Sequence, residues 1–141
     1  MNGKLKARVI ASVSASAGSI STTHASDAVA AIRKLVTCAM EAGPHVTHAL
    51  ATSKLAATID VIVHLDLRTL DEGGHTTRLR RVAEIIALDP GERDTGYATT
   101  HVFAPDLDGT AVPAVLPDAY LDLAAHGFDV AGYLAHTQKR S

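Results

Sequence analysis

The spacing of apolar residues predicts two helices in the first half of the chain. After residue 26, apolar side chains recur every three or four positions, as on one face of a helix. They are Val29, Ile32, Leu35, Val36 and Met40. Ser26 or Asp27 can cap the helix start, and Gly43-Pro44 ends it, because proline cannot continue a helix. A second helix is predicted over 47–58, also followed by a change of period.

Alternation of apolar and polar residues then predicts a β-hairpin. In 59–68 the odd positions are apolar, and four of the five even positions are polar: Asp60, His64, Asp66 and Arg68. A returning strand is predicted over 79–88, with a turn at 71–74 in which two glycines supply positive φ. The residues between the two strands are mostly polar, so the hairpin is expected to have a long polar tip. Shorter alternating stretches predict further strands at 5–13, 19–23 and 99–104.

The remainder of the chain reads as a connector followed by two short helices. Three prolines interrupt 105–117, and helical patterns cover 117–126 and 128–136 on either side of Gly127. Strands and helices in this mixture predict an α/β domain.

Composition narrows the class of partner and the compartment. A net charge of −2, 4 % aromatic residues and the lack of tryptophan do not favour nucleic-acid binding. The single cysteine, Cys38, excludes a disulfide within the chain and favours a reducing compartment. It is expected to be a small buried residue in the first helix. No apolar run approaches the ~20 residues of a membrane-spanning helix, so a cytoplasmic protein is predicted.

Three stretches, in this order, resemble one family. GSISTTHAS followed by AAIRKLV, then ATIDVIVHLDLR, then RLRRVAEIIAL are similar to the C-terminal half of the motor domain of type II/type IV secretion ATPases. The similarity is greatest to the Tad (Flp) pilus-assembly ATPases. It covers about residues 18–104, leaving 1–17 as a divergent segment and 105–141 as a connector with C-terminal helices.

The resemblance implies a partial RecA-like P-loop domain from a hexameric cytoplasmic ring that drives pilus assembly or secretion through an inner-membrane complex. His24 matches the histidine of the family's His box near the terminal phosphate, and Glu84 matches an acidic position after the basic pair, so both are carried over as catalytic. Carried over as nucleotide-binding are Thr22, Thr23, His24, Arg33, Arg80 and Arg81. The family uses ATP and magnesium.

Two motifs of the family, Walker A and the acidic Walker B, are missing from the sequence. No run fits the Walker A pattern G-x-x-x-x-G-K-S/T, whose backbone N–H groups and lysine cradle phosphates. The chain is therefore expected to be a truncated module that binds no cofactor alone and acts with a Walker A-bearing ATPase subunit. The expected partners are related ATPase subunits, in a homo- or hetero-oligomer, and an inner-membrane platform. The alternatives are a non-catalytic ring-joining domain and an inactive remnant.

The residues themselves leave plainer interpretations open. His24 can be a histidine bonded to backbone, and the hairpin arginines can form a solvated basic face. His45 and His48 have the spacing of two ligands on one helix face, but they have no cysteine or carboxylate at ligand spacing, so no metal site is predicted.

Overall fold

The computed structural model describes residues 18, 20–91 and 96–139. Over these residues the chain is mixed α/β, with a four-stranded antiparallel sheet and several helices, which confirms the predicted class. An antiparallel sheet is not typical of RecA-like domains. The predicted strand at 5–13 lies outside the described residues.

Two α-helices open the described part. Helix α1 spans Ala28–Met40 and helix α2 spans His48–Ala56. Both predicted helix starts are confirmed by capping bonds: the Asp27 side chain accepts from Ala30 N at 2.6 Å, and Thr47 Oγ1 accepts from Leu50 N at 3.2 Å. Residues 20–25, by contrast, belong to no strand, so the strand predicted at 19–23 is wrong over its described part. This polar, hydroxyl-rich stretch is exposed at Thr22, Thr23 and His24, and it buries no face on which a sheet could build.

The strands follow in chain order, and neighbours in sequence are neighbours in the sheet. They are β1 (Val61–Glu72), β2 (His75–Pro90), β3 (Tyr97–Pro105) and β4 (Ala111–Pro113). The hairpin is confirmed, but its long tip is wrong, because β1 and β2 continue to the two-residue turn Gly73-Gly74. Both glycines have positive φ, +57° and +85°, as a type I′ turn requires.

Strand β4 was missed by the sequence patterns. It pairs antiparallel with β3, with Phe103 opposite Pro113 and Pro105 opposite Ala111. Three residues are too few to show a period, and the prolines at both ends of the pairing favoured a connector.

Two helices close the described part on either side of Gly127. The first, Asp118–His126, is a 3₁₀-helix, and the second, α3, spans Val130–Gln138. Their positions confirm the prediction to within two residues. None of the helices in residues 20–91 and 96–139 is long and apolar enough to cross a membrane.

The chain divides into two compact units. The first lies within Met1–Ile62 and Leu88–Thr99, and the second comprises Val63–Ala87 with the described residues of Thr100–Ser141. In the first unit α1 packs on α2, with Ile32 and Leu55 completely buried. Cys38 is buried on α1, as expected.

The second unit has an aromatic core of its own. Tyr133 of α3 packs with Ala87 of β2 and Val102 of β3, each at most 5 % exposed. Phe103 and Phe128 border this cluster. The predicted segment boundaries at residues 17 and 104 stay a prediction.

Candidate functional site

The His24 region presents accessible polar groups at the start of α1. Thr22, Thr23 and His24 are exposed and precede the helix, and Lys34 Nζ reaches back to donate a hydrogen bond to the His24 backbone carbonyl. Since that bond uses the backbone oxygen, it holds the segment against α1 and leaves the His24 imidazole exposed. The imidazole therefore lies in an accessible position, as a residue that contacts a ligand must.

Arg33 lies one turn along α1 from the helix start, is exposed, and lines a cavity of about 410 Å³ within the first unit. The floor is apolar, from Ile32 and Val36. The polar wall is formed by His48 and Thr52 of α2, whose Nδ1 and Oγ1 atoms lie 3.5 Å apart. Arg33, Thr37 and His48 are exposed, so the cavity is open to solvent rather than enclosed.

His48, one of the two histidines with ligand spacing, thus lines this cavity. Among the described residues no group of three or more histidine, cysteine, aspartate or glutamate side chains is arranged to hold a metal ion.

Arg81 is engaged in contacts within the second unit. Its Nη2 lies 3.5 Å from Asp66 Oδ2 on β1, and its Nη1 donates to the Asp108 carbonyl at 2.7 Å. The side chain is 13 % exposed. One guanidinium thus joins β1 to the loop between β3 and β4, and its five N–H donors in a fixed fork suit this double role. Arg80, in contrast, is exposed on β2.

The loop that Arg81 contacts is itself tightly hydrogen-bonded. Asp108 accepts from Thr110 N at 2.8 Å and from Thr110 Oγ1 at 3.0 Å. These two bonds, chiefly the backbone one, hold the pKa of Asp108 below its ordinary value, because they stabilise the carboxylate. The loop therefore presents Arg81 with a carbonyl in a fixed position.

Glu84 lies between two histidines that the sequence patterns did not link to it. His101 Nε2 of β3 donates to Glu84 Oε2 at 2.9 Å, and His64 Nδ1 of β1 lies 3.7 Å from Glu84 Oε1. The carboxylate is 11 % exposed. Three neighbouring strands therefore each contribute one member of a His–Glu–His row. A charged carboxylate this buried requires such partners.

The predicted residues thus fall into two kinds. His24 and Arg33 are exposed in the first unit, and Arg80 is exposed in the second. Arg81 and Glu84 are partnered by other side chains of the second unit. The catalytic and nucleotide-binding roles of all of them stay predictions.

The His–Glu–His row and the cavity were both missed from sequence. The alternation of β1 placed His64 on the polar face of the strand, which was a usable signal for one of the row's three members. The partners on β2 and β3 depend on strand register, which a single sequence does not specify.

Comparison with known proteins adds no relative. No protein-family model matches the chain, and neither a curated protein nor a solved structure does.

Proposed function

We propose that this chain is a module of a type II/type IV secretion ATPase of the Tad pilus-assembly kind, and that it acts in ATP-driven assembly or secretion together with a subunit that carries a Walker A loop. The observation that carries the proposal is the order of three segments that resemble this family. The first extends to Val36 within α1, and the second and third overlap the two strands of one hairpin.

The exposed residues favour one part of the chain for contact with nucleotide. His24 is accessible in front of α1, and Arg33 lines the cavity on the same unit. An imidazole and a guanidinium both suit a polyphosphate, since each can donate charged hydrogen bonds to phosphate oxygens. ATP with magnesium is the expected ligand, shared with the partner subunit, and the RecA-like fold of the family belongs to this proposal as well.

The role of Arg81 and Glu84 in this proposal is to position the hairpin. Their side chains bind Asp66 and the histidines of the neighbouring strands, so a change at either one acts on the sheet first.

The experiment mixes the purified chain with a full-length ATPase of this class that has its own Walker A loop, and measures ATP turnover and ATP binding. We expect the chain to change turnover in the mixture and the His24→Ala variant to lose that effect. His126→Ala, which removes another exposed imidazole, is the matched control and should behave as the unmodified chain does. Turnover that is the same with and without the chain, at all ratios, contradicts the proposal.

A second candidate function follows from the missing Walker A pattern. A chain of this kind can join a ring of related ATPases without catalysing anything itself. It would then co-sediment with the full-length ATPase while His24→Ala and the unmodified chain change turnover equally.

A further inference from the structure

Strand β1 is the outer strand of the sheet in the part of the chain that the structure describes. It borders β2 alone and is 12 residues long. Leu88 N donates to the Asp60 carbonyl at 2.9 Å, so the residue just before β1 directs its backbone groups toward β2. Because these groups alternate in direction along an antiparallel strand, the even positions of β1 face β2 and the odd positions face outward. Val63, Leu65 and Leu67 therefore carry outward-facing N–H and C=O groups.

The same odd positions are unusually exposed for apolar side chains. Val63 is 51 % exposed, Leu65 68 % and Leu67 51 %. A long outer strand with apolar side chains and unpaired backbone groups is a template for another strand, and proteins usually protect such edges with lysine, proline or a bulge. Residues 63–67 contain neither lysine nor proline.

The sequence of this segment is complementary to itself when read antiparallel. With a two-fold axis at Leu65, Val63 lies opposite Leu67 of a second copy, and Leu65 lies opposite its own equivalent. On the other face, His64 lies opposite Asp66 of the second copy, so an imidazole faces a carboxylate. The two-fold axis makes each of these pairs occur twice.

The two adjacent registers, with the axis one residue to either side of Leu65, lack this complementarity. Hydrogen bonding requires that odd positions face odd positions, so the axis moves in whole residues. An axis at Asp66 places two carboxylates directly opposite each other, which is unfavourable. An axis at His64 places two imidazoles opposite each other and leaves Asp66 opposite Ile62.

We propose that β1 pairs antiparallel with β1 of a second copy of this chain, centred on Leu65, to form a continuous sheet across a symmetric dimer. The hydrogen-bonding complementarity of His64 and Asp66, together with the apolar pairing of Val63 with Leu67 and of Leu65 with itself, selects a second copy over an unrelated strand. This interface goes beyond the proposed function and is independent of it, since it involves neither nucleotide nor a related ATPase.

The first test is sedimentation of the full chain alone, without nucleotide, over a range of concentrations. We expect a monomer–dimer equilibrium. Leu65→Lys places two lysines opposite each other at the axis. Because like charges in contact repel, this variant should raise the dissociation constant of the dimer by at least about tenfold. Leu79→Lys is the matched control on β2, where the leucine is 45 % exposed, and it should leave the dimer intact.

The second test examines the register. Val63→Asp and Leu67→Lys should each weaken the dimer alone, and mixing the two variants should restore association, because the mixed dimer pairs an aspartate with a lysine. Circular dichroism verifies that each variant is folded. A chain that stays monomeric at all concentrations overturns the proposal, as does an oligomer that Leu65→Lys leaves unchanged or a mixture of folded variants that fails to associate.

Discussion

The hydroxyl of Tyr133 makes two hydrogen bonds inside the core of the second unit. It donates to the Val102 carbonyl and accepts from Ala114 N at 3.1 Å. The ring is 4 % exposed, contacts Phe103 edge-on at a centroid distance of 5.3 Å, and lies 5.9 Å from Phe128. One side chain thus connects α3 to β3 and to the end of β4.

Removal of the hydroxyl and removal of the ring should differ greatly in cost. In Tyr133→Phe the Ala114 N–H keeps its bond to the Val102 carbonyl at 3.0 Å, so neither backbone group loses its last partner. The expected loss in the free energy of unfolding is about 1 kcal/mol, the usual net value of one hydrogen bond. Tyr133→Ala also removes the buried ring, and the expected loss is about 3–5 kcal/mol.

Urea unfolding followed by far-UV circular dichroism measures both losses. Leu134→Ala, at a 40 % exposed position next to Tyr133 on α3, is the control for a change of helix residue and should cost less than Tyr133→Ala. If Tyr133→Phe destabilises the chain as much as Tyr133→Ala does, the reasoning from the shared Val102–Ala114 bond is refuted. The reasoning is also refuted if Tyr133→Ala lowers the free energy of unfolding no more than Leu134→Ala does.

The same side chain should give the chain a characteristic dependence on alkaline pH. Burial raises the pKa of Tyr133 above its ordinary value, because the phenolate is poorly solvated. When the pKa of a group is higher in the folded chain than in the unfolded chain, its full contribution to stability is present at pH values below the unfolded-state pKa. This contribution is lost as the pH rises through the folded-state pKa. As pH rises above about 10, the ordinary tyrosine pKa, the unmodified chain should lose more stability than Tyr133→Phe. Equal slopes for the two chains would contradict this.

Substitutions at three further positions test other parts of the structure by the same unfolding assay. Gly109→Ala should cost about 1–2 kcal/mol for its left-handed backbone, and more if Arg81 cannot move, since a Cβ at φ +79° meets that guanidinium; a neutral result would contradict the loop geometry. Glu84→Ala should cost about 0.5–1.5 kcal/mol, the net value of its hydrogen bond to His101, because that imidazole is 44 % exposed and water can replace the acceptor. Glu84→Gln, which keeps an acceptor, should cost less, and the reverse order would contradict this. Asp27→Ala should cost about 1 kcal/mol by removing the α1 cap, whereas Asp27→Asn should be nearly neutral.

The elements that sequence predicted well are those set by local chemistry. Asp27 and Thr47 cap their helices, and the break at Gly127 lies between the two C-terminal helices, because capping and helix termination depend on a few adjacent residues. The turn Gly73-Gly74 is in the same class. The strands on either side of this turn extend farther than predicted, because cross-strand backbone hydrogen bonds form regardless of side-chain polarity. The polar side chains near the turn had favoured a loop in the sequence-based prediction.

The features that could not be predicted from the sequence depend on the register between strands. The row of His64, Glu84 and His101 requires three strands to align within one residue, and no local pattern specifies that alignment. The two-unit division also passes through the strands themselves, which a reading of linkers and composition could not detect.

The contacts of the candidate residues determine which substitutions can report on nucleotide binding. Arg81 and Glu84 hold partners on neighbouring strands, so variants at either position should lose stability, and a loss of activity there would have a structural cause available. His24 and Arg33 are exposed, and substitutions at exposed positions usually change stability by less than about 0.5 kcal/mol. A change of ATP turnover in a folded His24 or Arg33 variant would therefore reflect contact with ligand, and these two positions are where the proposed function is tested most directly.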